Sequence, residues 1–410
     1  MLSCEGVRVA LCRFADLAGF ARCHSQVWYS GTRIKVIKNK HQLYLRLHSR
    51  IGDNSSLMLY WALFSCLVSC AFLFPATAHA QALGNFRIAT LLCKYADIAD
   101  EPRDAAQIQR VYGDEVGGVN HFWKQASYGK SSLDGTSVAG WYTLPAPRSF
   151  YIDDLSGEPD VVRIVRDCAA QADPDIDFSV YHSINVLTNG PWSGGIGGVG
   201  GKLFFELDGK SEFAYAVMGY PGWQNQALLV HEIGHGFGLL HSNNSDADDD
   251  PYDNPWSVMS DVSHQAVLHP EFGLLAKHFI AYEKELLGWF DRNEILEIDL
   301  DSLRSGTSQS VFLTSLGEPN NPNGSFRLLK LTRGDSDDFF FTLEARERSG
   351  DYEAALPGSG VIIHEVDLRT RRAAWIIDGS DMPADRADTQ SVVWQPGEVY
   401  QGDGLSLIHI

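Results

Sequence analysis

The sequence predicts an α+β protein in two parts: mixed strands and helices over residues 81–290, then an all-β, sandwich-like module over residues 291–410. Three observations predict it. Hydrophobic residues make up 44% of the 410, ordinary for a globular chain and too few for a multispanning membrane protein. Up to Phe290, stretches with the two-residue period of strands alternate with stretches of helical period. Beyond it, short strand-like runs are separated by turn clusters such as Asn320-Asn321-Pro322-Asn323-Gly324.

The first element is an apolar run at residues 57–76 (LMLYWALFSCLVSCAFLFPA), followed by Thr77-Ala78-His79-Ala80. Ala78 and Ala80 form an A-x-A site, so residues 58–80 read as a signal peptide and the mature chain is expected to begin at Gln81, secreted and without a stable membrane span. The competing reading is an uncleaved signal anchor with Arg46 and Arg50 held inside. It leaves the small-residue site without a purpose. Residues 1–57 show no clear periodicity. They read as an N-terminal extension of uncertain origin and are assigned no fold. Five of the seven cysteines precede the cut, leaving Cys93 and Cys168. A disulfide between them and a pair of buried thiols both remain open.

Charge follows the same division. Residues 1–80 carry nine Lys/Arg against three Asp/Glu, and the remaining 330 carry 24 against 49, a net of −25. So acidic a body repels phosphates, which argues against a nucleic-acid partner.

Residues 86–93 (FRIATLLC) suit a central strand, and residues 105–125 read as one helical stretch. Residues 160–172 form an amphipathic helix with Val161, Ile164, Val165 and Cys168 on one face. Residues 183–187 and 213–218 are strands. Between them, residues 190–201 (GPWSGGIGGVGG) hold seven glycines in twelve. They lack the lysine and the strand-to-helix setting of a phosphate loop and read as a flexible surface loop near a cleft. The β module is expected to use strands at 294–300, 310–314, 326–332, 338–344 and 360–366. It ends without a visible closing element and reads as truncated.

The chemistry concentrates in His231-Glu232-Ile233-Gly234-His235-Gly236-Phe237-Gly238-Leu239-Leu240-His241, which fits H-E-x-x-H-x-x-G-x-x-H at every fixed position. On a helix, His231 and His235 point the same way and can share one Zn2+ ion. Glu232 lies beside them, within reach of an attacking water and free of a ligand role. Gly238 permits the left-handed turn that ends the helix and brings back His241 as third ligand. Three imidazoles leave a fourth position open, the mark of a catalytic rather than a structural zinc site. Glu271 and Glu283 are alternative third ligands that Gly238 and His241 make unnecessary.

This segment resembles the zinc signature of the metzincin metallopeptidases, and Met259, 18 residues after His241, resembles their Met-turn. Residues 119–129 (VNHFWKQASYG), 140–145 (GWYTLP), 252–261 (YDNPWSVMSD) and 286–289 (LLGW) resemble the gametolysin-like and immune-inhibitor-A-like secreted peptidases. So do residues 341–346 (FTLEAR) and 360–367 (GVIIHEVD) of the β module. The resemblance implies a twisted mixed sheet with an antiparallel edge strand above the zinc. It assigns that edge to Phe213, Ala214, Tyr215, Ala216, Val217 and Met218. It implies a packing role for Met259. Where some metzincins carry a tyrosine two positions after the Met-turn methionine, this chain has Asp261.

The function expected from residues and resemblance together is a secreted zinc endopeptidase acting on extracellular, cell-wall or matrix proteins, with Glu232 as general base. A secreted adhesion protein with a vestigial zinc domain is opposed by the intact Glu232. A zinc hydrolase of a non-peptide amide is the other alternative. Residues 246–253 (DADDDPYD) raise the question of Ca2+, but Pro251 occupies the place of the EF-hand glycine, and a solvated acidic loop is favoured.

Overall fold

The computed structural model describes residues 7–13 and 81–409, apart from 154, 193–197, 245–249, 303–307, 335, 371, 379–391, 397 and 403–404. The apolar run at 57–76, the cleavage site, most of the N-terminal extension, residues 193–197 of the glycine run and Asp246, Asp248 and Asp249 lie outside the described residues. Among those described, no helix is long and apolar enough to cross a membrane.

The central sheet has five strands: β1 (Ile88–Lys94), β2 (Ser137–Thr143), β3 (Ser183–Thr188), β4 (Gly198–Leu207) and β5 (Lys210–Met218). Their order is β2-β1-β3-β5-β4. The first four in that order run parallel to their neighbours, and β4 lies antiparallel to β5 at the edge. Side chains alternate between two apolar layers, as the pleat requires. Ile88, Leu92, Ala216 and Met218 face one layer, with Phe122, Trp123 and Leu229. Leu91, Cys93, Phe213 and Val217 face the other, with Ile164, Val165 and Cys168. The first layer holds α2 (Val119–Ala126) and α4 (Gln226–Gly236); the second holds α3 (Val161–Ala172), capped where Asp160 accepts from the Arg163 N–H. On that second face Cys93 and Cys168 form a disulfide joining β1 to α3.

Three expectations need correction. The single helix at 105–125 is two, α1 (Ala105–Val111) and α2. Between them Gly117 takes φ +92°, and Gly118 sits where a Cβ would lie 2.3 Å from the Gly113 carbonyl oxygen. A side chain there would close off the turn that separates the helices. Second, Phe213, Ala214, Tyr215, Ala216, Val217 and Met218 do not form the edge. They lie in β5, hydrogen-bonded to β3 on one side and β4 on the other. Phe213 and Met218 are fully buried on opposite layers, the pattern of an interior strand. The edge is β4, built partly from the glycine run expected to be a loop. Third, the extension assigned no fold includes a strand, Val7–Arg13, which pairs antiparallel with Ser308–Leu313 and with Leu405–His409. Seven residues carry too short a pattern to announce a strand whose partners lie some 300 and 400 positions away.

The second part holds a six-stranded sheet of β6 (Asn243–Asn244), β7 (Ile295–Asp299), β8 (Leu328–Arg333), β9 (Ser336–Arg346), β10 (Gly360–Asp367) and β11 (Ala374–Ile376). Its order is β7-β8-β9-β10-β11-β6. A four-stranded sheet of Ser308–Leu313, Val7–Arg13, Leu405–His409 and Val399–Gly402 accompanies it. Val311 and Leu313 of the smaller sheet pack with Leu329, Leu331, Phe341 and Leu343 of the larger, so the two share one core. The short β6, just after His241, ties the end of the histidine motif to this larger sheet.

Candidate metal centre

α4 carries His231, Glu232 and His235 and is buried on nearly every side. Its N-terminus is held by residues 272–276: the Gln226 N–H donates to the Phe272 carbonyl, and the Gln226 side chain accepts from the Ala276 N–H. At its other end Gly238 adopts φ +90°, and the Leu239 N–H returns to the Gly234 carbonyl. The chain turns there and delivers His241 beside the helical pair. The ligand nitrogens of His231, His235 and His241 lie within 4.8 Å of one another, His231 buried and the other two half-buried.

The ring orientations are fixed from behind. His231 Nδ1 donates to the Val258 carbonyl at 2.7 Å, and His235 Nδ1 donates to the Leu239 carbonyl at 2.8 Å. A neutral ring that donates through Nδ1 presents a lone pair at Nε2. The Nε2 atoms of His231 and His235 meet at 3.1 Å, as do those of His235 and His241. Burial first, and the neighbouring histidines next, hold the pKa of His231 well below its ordinary value; burial also lowers that of His235. Converging neutral imidazoles with lone pairs face to face repel one another unless a cation sits among them. The donor set therefore fits a metal ion.

Glu232 is also buried, and burial pushes its carboxyl up to about 8, opposed by the Gly200 backbone N–H. Met259 lies under α4: a Cβ on Gly234 would stand 2.5 Å from its sulfur. The segment carrying Met259 is clamped to the β module. Asn254 Nδ2 donates to His364 Nε2 at 3.1 Å, and Arg346, which pairs with Glu344 and Glu353, donates to the Trp256 carbonyl at 2.8 Å.

A cleft of about 510 Å3 opens over this centre, lined by His231, Glu232, Gly198, Val199, Tyr252 and Asp261 among others. Asp261 cannot act as a hydrogen-bond donor here. Burial alone would raise its pKa, but the hydroxyl and N–H of Ser263, with Lys277, outweigh it and hold the carboxyl ionised. Glu271 and Glu283 stay out of the histidine group. Glu271 pairs with Arg110, while Glu283 accepts from Ser257 and the Ile280 N–H. Asp253 of the acidic loop accepts from the Asn244 N–H at 2.8 Å.

Two contributors escaped the sequence reading. The Tyr252 ring lies 4.7 Å from that of His241, and nothing in its spacing marks it. Gly198 and Gly200 of β4 face Glu232, and their period of two was the signal of a strand face.

No protein-family model matches the sequence, and no curated protein matches it. Among solved structures the chain is similar to wild type OgpA from Akkermansia muciniphila in two crystal forms. In one, sequence identity is 11% and the TM-score 0.32 over 80% of this chain and 90% of that one. In the other, identity is 10% and the TM-score 0.31 over 75% and 98%. A likeness this distant carries no argument about function.

Proposed function

We propose that this chain is a secreted, metzincin-type zinc endopeptidase. The observation that carries the reading is the convergence of three Nε2 atoms, on rings of which two are fixed by backbone carbonyls, beside a cleft lined by His231 and the buried Glu232. Zinc held by His231, His235 and His241 would supply a Lewis acid that polarises the scissile carbonyl and acidifies the attacking water. Glu232 takes the proton of that water and returns it to the leaving amine.

Gly198 and Val199 both line the cleft and belong to the edge strand β4. An extended peptide adding to that edge would pair through its backbone, which favours broad cleavage over recognition of a single sequence. The signal-like residues 58–80 and the Cys93–Cys168 bridge favour an extracellular setting. Incubating the protein with a mixed peptide library tests the reading. Cleavage inside peptides that stops with a zinc chelator and returns with zinc is expected. Hydrolysis confined to non-peptide amides, or none with zinc bound, would reject it.

A further inference from the structure

The proposed reaction needs Glu232 held at one place beside the histidines, yet α4 supplies no side chain that bonds its carboxyl. What meets it is the backbone of the edge strand. A Cβ built on Gly198 would lie 2.4 Å from Glu232 Oε1 and 2.7 Å from its Cγ and Cδ. A Cβ on Gly200 would lie 2.0 Å from the Glu232 carbonyl oxygen and 2.9 Å from the His235 Cβ. Heavy atoms in van der Waals contact stand about 3.5–4.0 Å apart, so neither position accepts a side chain without movement. Val199, between them, turns to the other side and packs with the second apolar layer. The strand thus approaches α4 at two alternate positions, and both are glycine.

We propose that Gly198 and Gly200 are positioning residues: β4 seats the general base, Gly198 leaving the room the Glu232 carboxyl occupies and Gly200 setting the distance between strand and helix. The proposal rests on the peptidase reading for its consequence in catalysis, but not for the contact itself. The two glycines meet different atoms and so predict different failures. At Gly198 the obstacle is the far end of a side chain, which can swing aside. G198A should therefore keep the fold and the metal while displacing the base. At Gly200 the obstacle is backbone, so G200A must push α4 away and disturb His235 with it.

The test joins kinetics and zinc content of each glycine variant with one double-mutant cycle between Gly198 and Glu232. In peptide cleavage, G198A should lower kcat by about 10- to 100-fold, the scale of a catalytic group misplaced by an ångström, with KM within about threefold and zinc content unchanged. G200A should lose zinc as well. In the metal-free protein, G198A should lower the melting temperature when Glu232 is present and leave it unchanged in the E232A background, where no carboxyl competes for the space. If G198A alone fails to fold, the G198A/E232A protein should fold. A G198A protein with the parent's kcat would overturn the proposal, and so would equal destabilisation in both backgrounds or failure of the double variant to fold. Coupling between Gly198 and Glu232 in a parent that cleaves no peptide would support the seat and reject the peptidase reading instead.

Discussion

The buried imidazole of His364 makes the stability of the protein depend on pH, and replacing it isolates that dependence. His364 is on β10 and fully buried; its Nε2 accepts from Asn254, which carries the segment leading to Met259. Burial first, then the nearby Arg346 guanidinium, holds its pKa at about 3. In the unfolded chain a histidine titrates near 6.5. Between these values the unfolded state binds a proton that the folded state refuses, so stability is full above pH 6.5 and falls as pH drops toward 3. The slope from this one group is about 1.4 kcal/mol per pH unit, or about 3 kcal/mol on going from pH 7 to pH 4.5. That is a large share of the roughly 5–15 kcal/mol that holds a domain folded. H364Q keeps an amide oxygen to accept from Asn254 but cannot titrate. It should cost about 1–2 kcal/mol at pH 7, through lost packing, and its deficit should vanish or reverse by pH 4.5. Glu283, raised by burial to about 8, contributes with the opposite sign, since its stabilisation is complete below its unfolded value and lost as pH rises through 8. It is common to both proteins and cancels in the difference. Urea unfolding of the two proteins at pH 7, 6, 5 and 4.5, followed by tryptophan fluorescence, measures it. A difference in unfolding free energy that does not change with pH would refute the argument.

Three other outcomes are expected. H241A should weaken zinc retention in dialysis against a chelator, because it removes one of three ligands; full occupancy would point to a different third ligand. C93S/C168S should lower unfolding free energy by about 4 kcal/mol, given a bridge spanning 75 residues, and a loss below 1 kcal/mol in urea titration would contradict this. Proline placed singly at Val199 and Lys202 removes N–H groups of opposite parity along β4; one of the two should raise KM for peptides in a folded, metal-loaded protein. Unchanged KM in both would remove β4 as the strand that pairs with substrate.

The site was more legible than the sheet around it, for a physical reason. His231, Glu232, His235, Gly238 and His241 lie within one helix and one turn, where spacing alone decides which atoms meet. Five strands of the β module announced themselves by apolar runs between turn residues, and Asp160–Ala172 by its helical stripe, whereas the short strands Ala374–Ile376, Val399–Gly402 and Leu405–His409 did not. Strand order is a different kind of fact. That β5 is interior depends on β4 folding back over it, and β4 is written partly in glycine, which has no strand preference of its own. Its glycines answer to α4 some 30 residues later, a constraint that appears only when strand and helix are packed together. The break at Gly117-Gly118 was hidden likewise, because helical periodicity resumes on its far side.

The central claim is that three histidines hold zinc and Glu232 moves the proton. It is tested most directly by measuring zinc content and peptide cleavage together in the parent and in E232Q, which keeps the side chain's shape but cannot accept the proton. Both proteins should bind one zinc per chain, and E232Q should lose about 10²- to 10⁴-fold in kcat. A zinc-loaded E232Q that cleaves at the parent's rate, or a parent that binds no zinc, would contradict the account.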